Sequence, residues 1–115
     1  MARTPQEVFD HHVQALGAGD LDAIAEDYSD DAILILPSGI KRGEAGVREV
    51  FTQLLADVPS ADWTLKTTLF QDDVLFLEWA AVSAATRVDD GIDTFVFRDG
   101  QIRVQTIRYT LEHTS

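Results

Sequence analysis

Along the first third of the chain, apolar residues recur at the spacing of a helix. Over Pro5 to Ala18, the residues Val8, Phe9, His12, Val13 and Leu16 fall on one stripe, with Thr4 placed as an N-cap and Pro5 at the first helical position. Gly17 and Gly19 end this helix, and Asp20 is placed to cap a shorter one whose stripe is Leu21, Ile24, Ala25 and Tyr28. At Ala32 the pattern becomes a continuous β-favouring run, Ile33-Leu34-Ile35-Leu36. That predicts a short strand covered on both faces and stopped by Pro37-Ser38-Gly39. A third helix is predicted from Gly43 to Asp57 on Val47, Val50, Phe51, Leu54 and Leu55, with Pro59 closing it.

The second half alternates with period two. Trp63, Leu65, Thr67 and Leu69 share one predicted strand face, and Asp72-Asp73 marks a hairpin turn. The run from Val74 to Thr86 sets Leu75, Leu77 and Trp79 against Phe76, Glu78 and Ala80, and Asp89-Asp90-Gly91 gives a second turn signal. Ile92 to Phe97 and Gln101 to Leu111 are then joined by Arg98-Asp99-Gly100. Three helices followed by an antiparallel meander of four long strands predict an α+β fold with the helices on one sheet face. The 115 residues are room for a single domain over 1–115, and no linker or repeat interrupts them.

Charge and composition narrow the partners. Twenty acidic residues against nine basic give a formal charge of −11, a field that repels phosphate backbones and anionic bilayers. Neither nucleic acid nor membrane is expected as a partner. No apolar run approaches the roughly 20 residues of a bilayer span, and Met1 to Gln6 is polar with no apolar segment behind it, so a cytoplasmic location is expected. The chain has no cysteine and three histidines, two of them adjacent, which leaves no thiolate chemistry and little for a metal cage. No metal and no cofactor are expected. The acidic pairs Asp30-Asp31, Asp72-Asp73 and Asp89-Asp90 read as solvated turn caps.

Within this pattern two residues carry candidate chemistry. Asp93 opens the strand Asp93-Thr94-Phe95-Val96-Phe97, where parity puts it on the face of Phe95 and Phe97. A carboxylate on an apolar face is expected to bind its proton more tightly and to donate a hydrogen bond to a carbonyl or developing oxyanion. His12 lies inside the apolar stripe of the first helix, whereas His11 falls on the other side and is expected to be solvated.

The order of elements and three strings resemble the nuclear transport factor 2-like, cystatin-like cone, and within it the SnoaL-like and ketosteroid isomerase-like group. The strings are "HHVQALGAGDLDAIAEDYSDDAILILPSG", "GEAGVREVF" and "GIDTFVFRDGQIRVQTIRYTL", and with the order of elements the resemblance extends over almost the whole chain. The resemblance implies three N-terminal helices packed on the concave face of a strongly curved, mainly antiparallel sheet, a cavity between them, and commonly a homodimer. It implies no single reaction, because the fold hosts isomerases, cyclases, epoxide hydrolases, dehydratases, pure binders and trafficking factors.

Asp93 in "IDTF" matches the position of the protonated aspartate of ketosteroid isomerases, and His12, eight residues before Asp20, that of their oxyanion-hole tyrosine. Their general base precedes the strand-ending proline, where this chain has Leu36 before Pro37. Leu36 accepts no proton, so the isomerase mechanism lacks its base. Glu78-Trp79-Ala80 offers no Arg-x-Asp pair of the limonene-epoxide-hydrolase kind. SnoaL-like polyketide cyclases need less, a carboxylate in an aromatic-lined cavity that closes a ring by an aldol step, and Asp93 with His12 meets that outline.

Parity assigns Trp63, Leu65, Trp79, Phe95, Phe97, Gln105, Ile107 and Tyr109 to the concave face, with Leu34 and Leu36 from the short strand. Trp63, Trp79, Phe95, Gln105, Ile107, Tyr109 and Leu36 are the expected substrate contacts. The opposite face, with Ile102, Val104, Thr106 and Arg108 on the last strand and Phe76, Ala80 and Val82 on the middle one, is apolar enough to predict a homodimer through it. The expected function is binding of a small apolar, carbonyl-bearing molecule with acid/base catalysis by Asp93 and His12. The alternative is a non-catalytic ligand-binding or dimerising module that keeps the cavity; Leu36 favours this one, Asp93 and His12 the first.

Overall fold

The structure is a computed structural model that describes residues 3–114. Helix α1 spans Pro5–Ala18, capped by a reciprocal pair in which the Thr4 hydroxyl accepts from the Glu7 amide and the Glu7 carboxylate from the Thr4 amide. It ends on Gly19 in the left-handed conformation. Helix α2 (Leu21–Glu26) begins on Asp20, whose side chain accepts from the Ala23 amide. Helix α3 covers Gly43–Asp57. Helices α1 and α3 lie where periodicity put them, because each carries both an apolar stripe and a stop signal; α2 starts after its expected cap, Asp20, and ends at Glu26.

The strands are β1 (Tyr28–Leu36), β2 (Gly39–Arg42), β3 (Asp62–Gln71), β4 (Val74–Val82), β5 (Thr86–Arg98), β6 (Gln101–Arg108) and β7 (Glu112–His113). They form one curved, unclosed sheet in the order β2-β1-β6-β5-β4-β3, with β7 paired to β5. All pairs are antiparallel except β1 with β6. The helices cover the inner face, where Leu75, Leu77, Phe95, Phe97, Ile107 and Leu34 meet Val8, Phe9, Val47 and Phe51 in one buried core. This is the α+β, cystatin-like cone. No helix among the described residues is long and apolar enough to cross a membrane.

Several local expectations are corrected. Tyr28 opens β1 rather than closing the stripe of α2. The β1 run is covered on one face only: Leu34 is fully buried and Ile35 exposed, because the added hairpin strand β2 lies beside β1 and not over it. The turn expected at Asp89-Asp90-Gly91 is absent; those residues lie inside β5, and the chain reverses at Ser83–Ala85. Irregular pairing between Trp79 and Ala81 absorbs the turn-like residues as a bulge.

A second bulge, between Leu65 and Thr67, breaks the alternation of β3. Leu65 faces in opposite Trp79, while Leu69 pairs Phe76 on the outside and is exposed. A third, between Val96 and Phe97, turns Ile102 inward, where it is fully buried, and removes it from the outer face assigned by simple parity. Strand β6 ends at Arg108, leaving Tyr109 beyond its end.

Candidate functional site

Asp93 sits in the middle of β5, not at its start, paired to Leu77 on one side and Ile107 on the other. Its neighbours on that face are Gly91 and Phe95, so the carboxylate is carried into the core with a residue exposure of 6%. Trp79 Nε1 donates to Oδ1 at 3.0 Å and Gln105 Nε2 donates to Oδ2 at 2.9 Å. The Tyr28 hydroxyl donates in turn to Gln105 Oε1, which fixes the amide orientation. Burial pushes the Asp93 carboxyl up to about 6, and the two donors hold back part of the rise.

The indole reaches Asp93 because of Gly91. The two residues are paired across β4 and β5, and a Cβ on Gly91 would lie 2.2 Å from Trp79 Cε2. Only glycine lets the ring lie flat on the neighbouring strand. Trp79 is then tilted against Trp63 at 5.5 Å and against Tyr109 at 5.6 Å between ring centroids.

His12 projects from α1 into the same region, 3% exposed, with ring centroids 5.5 Å from both Phe51 and Phe95. Burial lowers its imidazole to about 4, against a weaker upward pull from Asp27, so the ring is neutral at pH 7. Nδ1 is buried without a hydrogen-bond partner among the described residues.

Asp93 and His12 both line one cavity of about 230 Å³ between the inner sheet face and helices α1 and α3. Trp63, Trp79 and Phe95 line it too, with Phe9, Leu16, Phe51, Leu54 and Leu77, and Asp62 stands among the lining residues. The other candidate contacts lie elsewhere. Gln105 is behind Asp93 and touches it by hydrogen bond, and Ile107 is buried in the core. Leu36 and Tyr109 line a separate groove against α3. Tyr109 donates to Asp57 Oδ2 at 2.7 Å; burial, then this carboxylate, pushes its hydroxyl upward.

Sequence reasoning missed Asp27, which is fully buried. Its Oδ1 accepts from Arg3 Nη1 at 2.9 Å, and its Oδ2 lies 2.8 Å from His11 Nδ1. His11 is therefore half-buried and partnered rather than solvated, since it caps a carboxylate that the short α2 turns inward. Tyr28 and Gly91 were also missed as site residues. The signal for Gly91 was a glycine next to alternating strand residues, read as a turn instead of a close approach. Among the described residues no cluster of three metal-ligating side chains occurs.

Residues 9–105 match the SnoaL-like domain family. The chain belongs to that family. SnoaL-like and related folds recur among solved structures. An NTF-2 like protein of unknown function from Burkholderia xenovorans is 23% identical over 92% of this chain and 82% of its own, with a TM-score of 0.76. A SnoaL-like protein from Burkholderia thailandensis is 22% identical over 92% and 93%, with a TM-score of 0.73. IdmH, a candidate polyketide cyclase from Streptomyces antibioticus, is 18% identical over 93% and 92%, with a TM-score of 0.75. At these identities the likeness is one of fold. No curated protein matches the chain in sequence. Membership in the SnoaL-like family agrees with the cone and its cavity, and leaves the chemistry to the residues inside it.

Proposed function

We propose that this SnoaL-like protein binds a small, apolar, carbonyl-bearing molecule in the cone cavity and moves a proton on it, with Asp93 as the acid/base group. The observation that carries this reading is a buried carboxyl facing a largely apolar cavity, with its proton affinity raised to about 6. A group poised there holds a useful fraction of both protonation states near neutral pH. Trp79 and Gln105 each take one position on one oxygen, which leaves a second position on each for a proton or for the ligand. As carboxylate, Asp93 takes the proton from the carbon next to the ligand carbonyl; as acid, it returns that proton. His12 is the neutral polar group set beside the ligand oxygen. Cyclase-like ring closure, the role suggested for IdmH, is one reaction that starts with such a transfer.

The test is hydrogen–deuterium exchange at the methyl group of acetophenone in heavy water, followed by proton NMR. Wild type should exceed Asp93→Asn by about a hundredfold or more, the scale of positioned general-base catalysis. Equal rates would sink the acid/base role.

A second reading, a binding module without catalysis, is favoured by the same two donors. Both Asp93 oxygens are engaged by protein groups, and Leu36 stands outside the cavity where the isomerases carry a base. Ketone binding without exchange would decide for this reading. On the outer face, Leu69, Val74, Phe76, Ile92 and Ile35 are each at least 38% exposed, which supports a homodimer through that face. Sedimentation at micromolar concentration tests it, and a monomer would overturn it.

A further inference from the structure

The cavity that holds Asp93 has a neighbour. A chamber of about 120 Å³ lies at the end of α1 and shares Leu16, Gly17, Ala61 and Trp63 with the inner cavity. Its remaining surface includes Leu55 and Val58 beside Ser60, Gly19 and the last residues of α1, so apolar and polar groups share the lining. We infer that the outer chamber is a second subsite for the uncharged apolar tail of an elongated ligand whose carbonyl head sits at Asp93, and that Gly17 is the threshold between the two.

This inference rests on the proposed reading of the inner cavity, and three observations support it. The inner cavity of about 230 Å³ is below the roughly 300–1,000 Å³ of drug-sized ligand sites, so a longer molecule must extend beyond it. Gly17 lies inside α1, in a conformation open to any residue, and a Cβ there would meet nothing within 4 Å. Glycine is a poor helix former, so neither backbone geometry nor packing accounts for its presence at this position. Gly17 is exposed and lines both chambers, so a longer side chain at this position would stand at the rim the two share. An anionic tail is disfavoured, because Asp62 lines the inner cavity and the C-terminal end of α1 carries partial negative charge.

The experiment compares two ketones, acetophenone and 4′-butoxyacetophenone, by titration calorimetry against wild type, Gly17→Ala and Gly17→Leu, with helicity checked by circular dichroism. Wild type should bind the butoxy compound at least about tenfold tighter, from burial of the added carbons. Gly17→Leu should lose that gain, so that it binds the two ketones within about twofold of each other, and Gly17→Ala should fall between. Should Gly17→Leu weaken both ketones equally or neither, or should the butoxy compound show no gain in wild type, the subsite is refuted while acetophenone binding still upholds the inner site. If neither ketone binds wild type, both readings fall. Gly17→Ala, a better helix former than the wild type, keeps the comparison decisive if Gly17→Leu unfolds.

Discussion

Two aspartates are buried in this protein, and they are buried in opposite ways. Asp27, at the end of α2, meets Arg3 and His11, two cation-capable groups that are themselves partly exposed, so its charge is matched on the spot. Asp93, in the middle of β5, meets only the neutral donors Trp79 and Gln105 and faces a cavity. The first arrangement joins the N-terminal segment to the start of β1, and Arg3 also reaches the Gly100 carbonyl at the β5–β6 turn. The second leaves a charge undercompensated. A matched buried carboxylate supports the fold; an unmatched one is available for chemistry.

The largest test of that contrast is removal of each carboxylate. Asp27→Ala should cost roughly 3 kcal/mol, the scale of hydrogen bonds to a charged group, because both partners lose their acceptor at once. Asp93→Asn should change stability at pH 7 by no more than roughly 1 kcal/mol in either direction, since losing a desolvated charge offsets the mismatched donor. Urea unfolding at pH 7 measures both. Equal losses would erase the distinction between the two sites.

The next effect is one of pH. Asp93 is raised from 3.8 to about 6, so its contribution to stability is fully present below 3.8 and is lost as pH rises through 6, roughly 3 kcal/mol at about 1.4 kcal/mol per unit. His12 is lowered from 6.5 to about 4, so its contribution is present above 6.5 and is lost as pH falls through 4, by a similar roughly 3 kcal/mol. The two windows overlap and oppose each other. In wild type the pair should nearly cancel between pH 4 and 6.5. His12→Gln should then lose stability as pH rises over that range, and Asp93→Asn should gain it. Parallel curves for the two variants would show that burial does not set these groups.

A third, smaller effect concerns how Asp93 obtains its donor. Gly91→Ala should destabilise by about 2 kcal/mol, the scale of overpacking a core, because the new methyl falls within the Trp79 ring. Tryptophan fluorescence should shift with it, reporting the displaced indole. An unshifted spectrum and unchanged stability would mean that the close approach is not a constraint.

The comparison also shows what could be read from the sequence. Asp93 was legible because one strand with strict alternation placed it beside Phe95 and Phe97, and His12 because a helix stripe needs only local spacing. Asp27 was not, since it follows a six-residue helix and its partners lie 24 and 16 residues away. The first and third helices were legible to the residue because their apolar stripes and stop signals are local, whereas the end of the six-residue α2 was not. Strand faces were legible only between bulges: one extra residue in β3 moved Leu69 outward, and another near Arg103 moved Ile102 inward. A bulge is fixed by the neighbouring strand, so no pattern within one strand announces it. Tyr109 and Leu36 were placed by extending strand parity to the end of each run, where the backbone leaves the sheet or meets another groove.

The finest test asks whether neutral donors tune Asp93 at all. Trp79→Phe keeps an aromatic wall but removes the N–H at Oδ1, and donors to a carboxylate favour its charged form. Its loss should raise the Asp93 titration midpoint by about one unit, the scale of a hydrogen bond to a charged group. Carbon-detected NMR of the labelled carboxyl reads this directly. A smaller ring also admits water, which would pull the midpoint the other way, so Gln105→Leu is the companion: it removes the donor at Oδ2 from behind the carboxylate and leaves the cavity wall intact. Both variants should titrate above wild type. If Gln105→Leu rises and Trp79→Phe falls, hydration outweighs the indole donor. If neither rises, the two hydrogen bonds hold the side chain in place without setting its proton affinity, and Asp93 becomes the more structural of the two buried aspartates.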